Sequence, residues 1–457
     1  MIPDVPKTHS IPPEWSAFDD YNMHHQPRLA DWVARRTGLT FAVRAGPGAD
    51  SVGLALRLNP RRSHLLVSAV LGKYIPAAPD LIEGAAKDLA NLVARRLAVG
   101  PAASVVIGYA ETATALGHIV ADVLRAPYVH STRRTISGVA PAAVFCEPHS
   151  HAPSHHLLPT DAEIFKRSGP VVLVDDELST GTTVGNTIEA LHGLFPHQHY
   201  LVATLTDVRP RTDQAVLTGR LEKLGARIEV VSLLRGRIAL SDTTAQRCAE
   251  LIKRSFRNTE STVGRDGPPE YRKKLRRMAA SWPSELPEGG RHGFSPEDRS
   301  RLGAAVHALA GRVARRVLGE RLLVLGCEEF MYVPLRLALE LQRCLGSNGN
   351  VLFASTGRSP ALAVDQPGYP IRSRMAFPAP GFDDTGWRFA YNLTVSGVNQ
   401  PFDDVICVIE HTSETRELYA LGGMLDAVAT ACRQLLLVVV PDHRPFSGPP
   451  VPTRGSR

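Results

Sequence analysis

The run Val171-Val-Leu-Val-Asp175-Asp176-Glu177-Leu178-Ser179-Thr180-Gly181-Thr182-Thr183 constrains the fold more than any other stretch of the chain. Four consecutive apolar residues suit a strand covered on both faces, as in a parallel sheet. Two acids follow at its carboxyl end, where open α/β sheets form their binding crevice. A hydroxyl-rich loop with one glycine then leads into a helical pattern over 182–195. Gly181 lets the backbone approach an anion, and a helix N-terminus offers unpaired N–H groups with partial positive charge. Ser179, Thr180, Thr182 and Thr183 add hydroxyl donors. Asp175 and Asp176 repel phosphate and suit sugar hydroxyls or a metal-bound ligand instead. An acid pair beside a phosphate cradle implies a phosphorylated polyol, such as a ribose phosphate. The Gly-x4-Gly-Lys-Ser/Thr pattern of a Walker A loop is absent from the chain.

Strand-like runs over 53–58, 64–70, 104–108, 127–130, 170–174, 200–205 and 227–233 alternate with amphipathic patterns over 80–99, 114–125 and 182–195. Strand, loop, helix, strand is the grammar of a parallel sheet, and it predicts an α/β fold. Pro, Gly and basic residues interrupt the pattern before it resumes. The expected organisation is an irregular arm at 1–30, a first domain at 31–252, a basic connector at 253–298, a second domain at 299–441 and a flexible tail at 442–457. Leu322-Leu-Val-Leu-Gly-Cys-Glu parallels Val105-Val-Ile-Gly-Tyr-Ala-Glu, and Phe353-Ala-Ser-Thr-Gly-Arg-Ser parallels Val129-His-Ser-Thr-Arg-Arg. Val405-Ile-Cys-Val-Ile-Glu then parallels Val171-Val-Leu-Val-Asp-Asp. The shared order predicts two Rossmann-like parallel-sheet domains, the second a diverged copy of the first. Two unrelated α/β domains would give similar signals.

Composition sets bounds on partners. A hydrophobic fraction of 44% with 21% charged residues over 457 positions excludes wholesale disorder. No apolar run approaches the ~20 residues of a bilayer span. The start, Met1-Ile-Pro-Asp-Val-Pro-Lys, lacks a basic-then-apolar signal pattern. Six scattered cysteines argue against a disulfide framework or cysteine zinc site. A cytoplasmic chain with no membrane partner is expected. The net charge of +7 admits nucleic acid or phosphorylated small molecules as partners.

The strand, acid pair and Ser/Thr-Gly-x-Thr loop closely resemble the phosphoribosyl pyrophosphate (PRPP) motif of type I phosphoribosyltransferases. The resemblance implies that Asp175 and Asp176 contact the ribose hydroxyls and meet metal only through PRPP. It implies that Ser179, Thr180, Gly181, Thr182 and Thr183 hold the 5′-phosphate, and that Mg²⁺ is the cofactor. The loop with Ala110, Glu111, Thr112, Ala113 and Thr114 is then the pyrophosphate loop, its small residues permitting backbone contact. Glu111 is unexpected beside an anion and points to Mg²⁺ or the nucleophile. Lys73, in Leu71-Gly-Lys-Tyr, is either a phosphate ligand or a solvated lysine. Arg133, with Arg134 beside it, offers charge to the leaving diphosphate. The run Cys146-Glu-Pro-His149-Ser-His151-Ala-Pro-Ser-His155-His156 falls where this fold carries a mobile hood, and reads as a lid before a zinc site. Catalysis is expected from Asp175, Asp176, Arg133, His149 and His151, the histidines moving protons.

Taken whole, the chain resembles a bacterial phosphoribosyltransferase-like family with a C-terminal TRSP domain. The carrying residues are Asn59-Pro-Arg-Arg, Leu71-Gly-Lys-Tyr, Ala110-Glu-Thr-Ala-Thr, His149-Ser-His-Ala, the PRPP loop, Thr356-Gly-Arg358-Ser359-Pro360 and His411-Thr-Ser-Glu-Thr-Arg416-Glu. Gly357 is an insertion relative to Thr-Arg-Ser-Pro. The resemblance implies a type I phosphoribosyltransferase fold for the first domain and gene neighbourhoods of tellurium-resistance type. It implies transfer of phosphoribosyl from PRPP to a small-molecule acceptor, with release of pyrophosphate, in the making of a nucleoside-like metabolite. The alternative is a non-catalytic PRPP- or nucleotide-sensing regulator on the same fold. Nucleic acid ranks behind small molecules as partner, and a homodimer is left open. In the second domain, Arg358, Ser359, Glu410, His411, Thr412, Ser413 and Arg416 are expected to form a second, diverged ligand site, with a purely structural domain as the alternative.

Overall fold

The computed structural model describes residues 28–44, 48–59, 63–97, 100, 103–136, 138–147, 154–257, 270–346, 349–381, 386–394 and 401–443. In chain order the first half runs α1 (Asp31–Thr37), β1 (Thr40–Val43), β2 (Val52–Leu56), β3 (His64–Ser68), α2 (Pro79–Ala94), β4 (Val105–Gly108), α3 (Thr114–Leu124), β5 (Tyr128–His130), β6 (Ala143–Cys146), β7 (Ser154–Leu157), β8 (Val171–Leu178), α4 (Thr182–His192), β9 (His199–Asp207), α5 (Arg211–Glu222), β10 (Arg227–Ala239) and α6 (Thr244–Arg257). The second half runs β11 (Leu275–Ala279), α7 (Asp298–Ala314), β12 (Arg321–Gly326), α8 (Tyr332–Leu345), β13 (Asn350–Ser355), β14 (Arg374–Pro378), β15 (Trp387–Tyr391), β16 (Phe402–Glu410), α9 (Met424–Ala429) and β17 (Cys432–Val440).

The first sheet has the order β1-β10-β9-β8-β4-β5, parallel except for β1 at its edge. Val171, Val172, Leu173 and Val174 of β8 lie near its centre and are fully buried, as a strand covered on both faces requires. The second sheet, β11-β17-β16-β12-β13, is parallel throughout. Its last four strands repeat the order β9-β8-β4-β5, and each half inserts an antiparallel hairpin (β6–β7, β14–β15) at the corresponding point.

Two expectations change on folding. Residues 53–58 and 64–70 do not join the parallel sheet; β2 and β3 pair antiparallel as a separate hairpin. Their connection is far shorter than the dozen or more residues of a parallel crossover. The stretch 253–298, expected as a basic connector, carries β11, which is an integral edge strand of the second sheet beside β17.

The halves share one core. Side chains from α2, α3, β4 and β8 pack in a single apolar cluster with others from α7, α8, β12 and β13. Along β12 the alternation is visible: Leu322 and Val324 face this shared core, while Leu323 and Leu325 face a second cluster with α9. At the junction the His118 ring stacks on Tyr332 with centroids 3.6 Å apart. Among the described residues no helix is long and apolar enough to cross a membrane.

Candidate active site

The carboxyl ends of β4 and β8, the start of α4, hairpin β6–β7 and one loop of the second half surround a cleft of about 160 Å³. Its floor is the acid pair. Asp176 N–H donates to Asp175 Oδ1 at 2.9 Å. Burial and the neighbouring acids, Asp176 and Glu147, push the Asp175 carboxyl well above its ordinary range. Asp176 is also raised by burial, with Lys73 opposing. An acid pair this crowded gains from ligand hydroxyls or from added positive charge.

Beyond the acids the chain turns at Gly181, whose φ of +82° favours glycine; a Cβ there would stand 3.0 Å from Leu217 Cδ2. This turn aims the α4 N-terminus into the cleft. Thr180 Oγ1 accepts from the Thr182 N–H at 3.2 Å, fixing the loop. Ser179, Thr180, Gly181, Thr182 and Thr183 all line the cleft. Beneath them Arg209 forks onto Asp207 at 2.9 and 2.8 Å.

Four cationic side chains, Arg57, Lys73, Arg133 and Arg358, also line the cleft, with Ala110, Glu111 and Thr112. Lys73 donates to Thr112 Oγ1. Burial alone would lower its pKa, yet Tyr74, Glu111 and Asp176 hold it above the ordinary value. Arg57 Nε is buried without a hydrogen-bond partner among the described residues. Glu111, puzzling beside an anion, is paired with Arg358 of the second half, Oε1 to Nε at 2.6 Å. Ala113 and Thr114 turn away from the cleft: both are buried, and Thr114 Oγ1 donates to the Glu329 carbonyl at 2.8 Å.

His149 and His151 lie outside the described residues. The hood's described histidine at the cleft is His155, which sequence reasoning passed over together with Glu147 and Arg57. His155 Nδ1 lies 2.9 Å from Ser131 Oγ, which accepts the Ala110 N–H at 3.0 Å; its Nε2 lies 3.3 Å from Glu147 Oε2. Burial keeps the imidazole below its usual pKa, hence neutral at pH 7. Although burial opposes it, His155 and Arg133 hold Glu147 well below the carboxylate range. An acceptor-only Glu147 therefore places the ring proton on Nε2. The relay couples the hood to the loop after β4. A period-2 reading of Ser154-His-His-Leu157 would have put His155 on the buried side with Leu157.

The seven residues expected to form a second site do not come together. Arg358 and Ser359 line the first cleft. Glu410 is buried in ion pairs with Arg134 at 2.9 Å and Arg291 at 2.6 Å. His411, Thr412 and Arg416 are exposed, and Ser413 is buried. The physical reason is occupancy: side chains fill the β16 end, leaving about 10 Å³, room for a single water at most.

Residues 52–237 match the family model for phosphoribosyl transferases, and residues 288–428 match that of the TRSP domain found C-terminal to such transferases. No curated protein matches the chain. Among solved structures, adenine phosphoribosyltransferase from Giardia lamblia complexed with 9-deazaadenine is 16% identical with a TM-score of 0.30, covering 41% of this chain and 96% of its own. The Rhodothermus marinus adenine phosphoribosyltransferase is 17% identical with a TM-score of 0.28, covering 40% and 94%. Orotate phosphoribosyltransferase from Aeropyrum pernix is 21% identical with a TM-score of 0.23, covering 44% and 91%. With both models matched in the order the family prescribes, the chain belongs to the phosphoribosyltransferases that carry a C-terminal TRSP domain.

Proposed function

We propose that this phosphoribosyltransferase uses PRPP with Mg²⁺ and transfers the phosphoribosyl group to a small nitrogenous acceptor, releasing pyrophosphate. The observation that carries the reading is what the cleft brings together: a helix N-terminus, an acid pair and the cationic side chains of Arg57, Lys73, Arg133 and Arg358. That combination of charge complements a sugar flanked by a phosphate and a diphosphate. In this reading residues 179–183 bind the 5′-phosphate and Asp175 and Asp176 orient the ribose hydroxyls. Arg57, Lys73 and Arg133 take the diphosphate as its bond to C1 lengthens and negative charge gathers on it. Glu147 and His155 close the acceptor side and hold the proton on His155 Nε2. Bound Mg²⁺ would add positive charge at the diphosphate. The residues fit it only through the substrate, since the described residues hold no group of three or more His, Cys, Asp and Glu arranged for a metal. The family resemblance supports a role in making a nucleoside-like metabolite, composition supports a cytoplasmic setting, and the parallel segments with the repeated strand order support descent of the second domain from a copy of the first.

The test is pyrophosphate release with PRPP, Mg²⁺ and a panel of nitrogenous acceptors. Asp175→Asn/Asp176→Asn should lower kcat/KM by roughly 100-fold or more; unchanged turnover would sink the assignment. PRPP binding without turnover would point to the sensor alternative.

A further inference from the structure

The two halves meet through reciprocal contacts, the pattern that a local twofold produces. Gly108 pairs with His130 across β4–β5, and Gly326 pairs with Ser355 across β12–β13. In that register His130 corresponds to Ser355, and Tyr128 to Phe353. At these positions each half's edge strand is capped by a segment of the other. Tyr128 exchanges both backbone hydrogen bonds with Phe294, at 2.9 and 2.8 Å, and Phe353 exchanges both with Ala77, at 2.8 and 3.0 Å. The His130 N–H donates to Gly290 at 3.0 Å, and the Ser355 N–H to Gly72 at 2.7 Å. Ion pairs follow the same exchange. Arg299 of α7 meets Asp122 of α3 at 2.6 Å, and Arg336 of α8 meets Glu83 of α2 at 3.0 Å. Contacts of this reciprocal kind mark an isologous interface, here within one chain.

The strand-end loops obey the twofold, and their chemistry then breaks it. Glu329, after β12, accepts from Thr132 Oγ1 at 2.8 Å, while Glu111, after β4, accepts from the Arg358 N–H at 3.1 Å. Among the described residues the β8 end opens into the cleft, whereas the β16 end is occupied by Arg134, Arg291 and Glu410. The loop that carries Arg358 reaches that cleft through Gly357, where a Cβ would stand 3.2 Å from Lys73 Cε and 3.3 Å from Glu111 Oε2. Gly357, the insertion in the Thr-Arg-Ser-Pro pattern, thus permits the close approach.

We propose that the second domain stands in the place of a partner subunit and completes the cleft at the β8 end with Arg358, whose guanidinium binds the diphosphate of PRPP. This rests on the phosphoribosyl reading above. Arg358 is held at the wall by Glu111 at 2.6 Å and by Glu328 at 3.0 Å, beside the Lys73–Thr112 pair. A guanidinium so placed adds planar, charge-assisted donors where Lys73 supplies a point charge.

Calorimetry on the full chain with PRPP, pyrophosphate and ribose 5-phosphate separates the outcomes. Wild type should bind one PRPP per chain. Arg358→Ala should weaken PRPP and pyrophosphate roughly 10- to 100-fold while leaving ribose 5-phosphate within about twofold. Arg358→Lys should recover part of the loss, and it decides the matter if the alanine variant does not fold. Equal loss for ribose 5-phosphate, unchanged PRPP affinity in a wild type that binds it, or two PRPP sites per chain would overturn the inference alone. A wild type that binds no PRPP would overturn the phosphoribosyl reading, and this inference with it.

Discussion

Glu329→Ala tests the buried charge cluster that lies where the halves meet. The carboxylate is buried; it accepts from Thr132 Oγ1 at 2.8 and 2.9 Å and from Arg291 Nε and Nη2, both at 2.8 Å. Arg291 and Arg134 hold it well below the ordinary carboxylate range against the pull of burial, so it is charged at neutral pH. Removing one partner of a buried ion pair costs about 3–5 kcal/mol. The Thr132 hydroxyl, left without its acceptor, adds about 1 kcal/mol. Arg291 keeps Glu410 at 2.6 Å, which limits its own loss and places the expected total near 3 kcal/mol. Urea unfolding at pH 7, followed by the fluorescence of the four tryptophans, should show one transition with a lowered midpoint. Arg291→Met in the alanine background should be milder than the summed single changes by at least about 1 kcal/mol, because it removes the stranded charge. A loss below about 1 kcal/mol, or strict additivity, would refute the reasoning.

Two further outcomes are expected. Gly181→Ala forces a side chain into the left-handed region and against Leu217, so stability should fall by about 1–2 kcal/mol and the KM for PRPP should rise about 10-fold; an unchanged KM in the pyrophosphate assay would dissociate the loop from phosphate binding. Burial and Glu410 raise the Glu288 carboxyl to about 7, so the folded state binds a proton that the unfolded chain releases near 4.5. That contribution is present below about pH 4.5 and is lost as pH rises through 7. Glu288→Gln should therefore match wild type at pH 4–5 and gain relative stability by pH 8, on the order of 2–3 kcal/mol in urea titrations. A difference that does not vary with pH would exclude it.

The β8 strand, its acids and the loop into α4 were legible because all their determinants are local: an apolar run, a strand-end position, a glycine before a helix. Arg358 stands out in the sequence as a candidate anion ligand of a second site, and the structure places it at the first cleft. Its pairing with Glu111 spans 247 positions, and no local pattern encodes which strand end faces which. Among the histidines, His149 and His151 lie outside the described residues, while His155 takes its place at the cleft from strand alternation within β7. Glu410 aligned correctly with Asp176 along the strand, yet Arg134 and Arg291 neutralise it from outside its own segment.

The crossed capping of β5 and β13 also orders events in time. While the polypeptide is being made, the edge of β5 at Tyr128 waits for Phe294, and Ala77 waits longer still for Phe353. Until then the nascent first half carries an open sheet edge beside the apolar faces of α2 and α3, the kind of surface that recruits foreign strands. Covalent linkage answers that hazard. Because both halves are on one chain, the capping partner arrives at an effective concentration set by tethering and independent of how dilute the protein is in the cell.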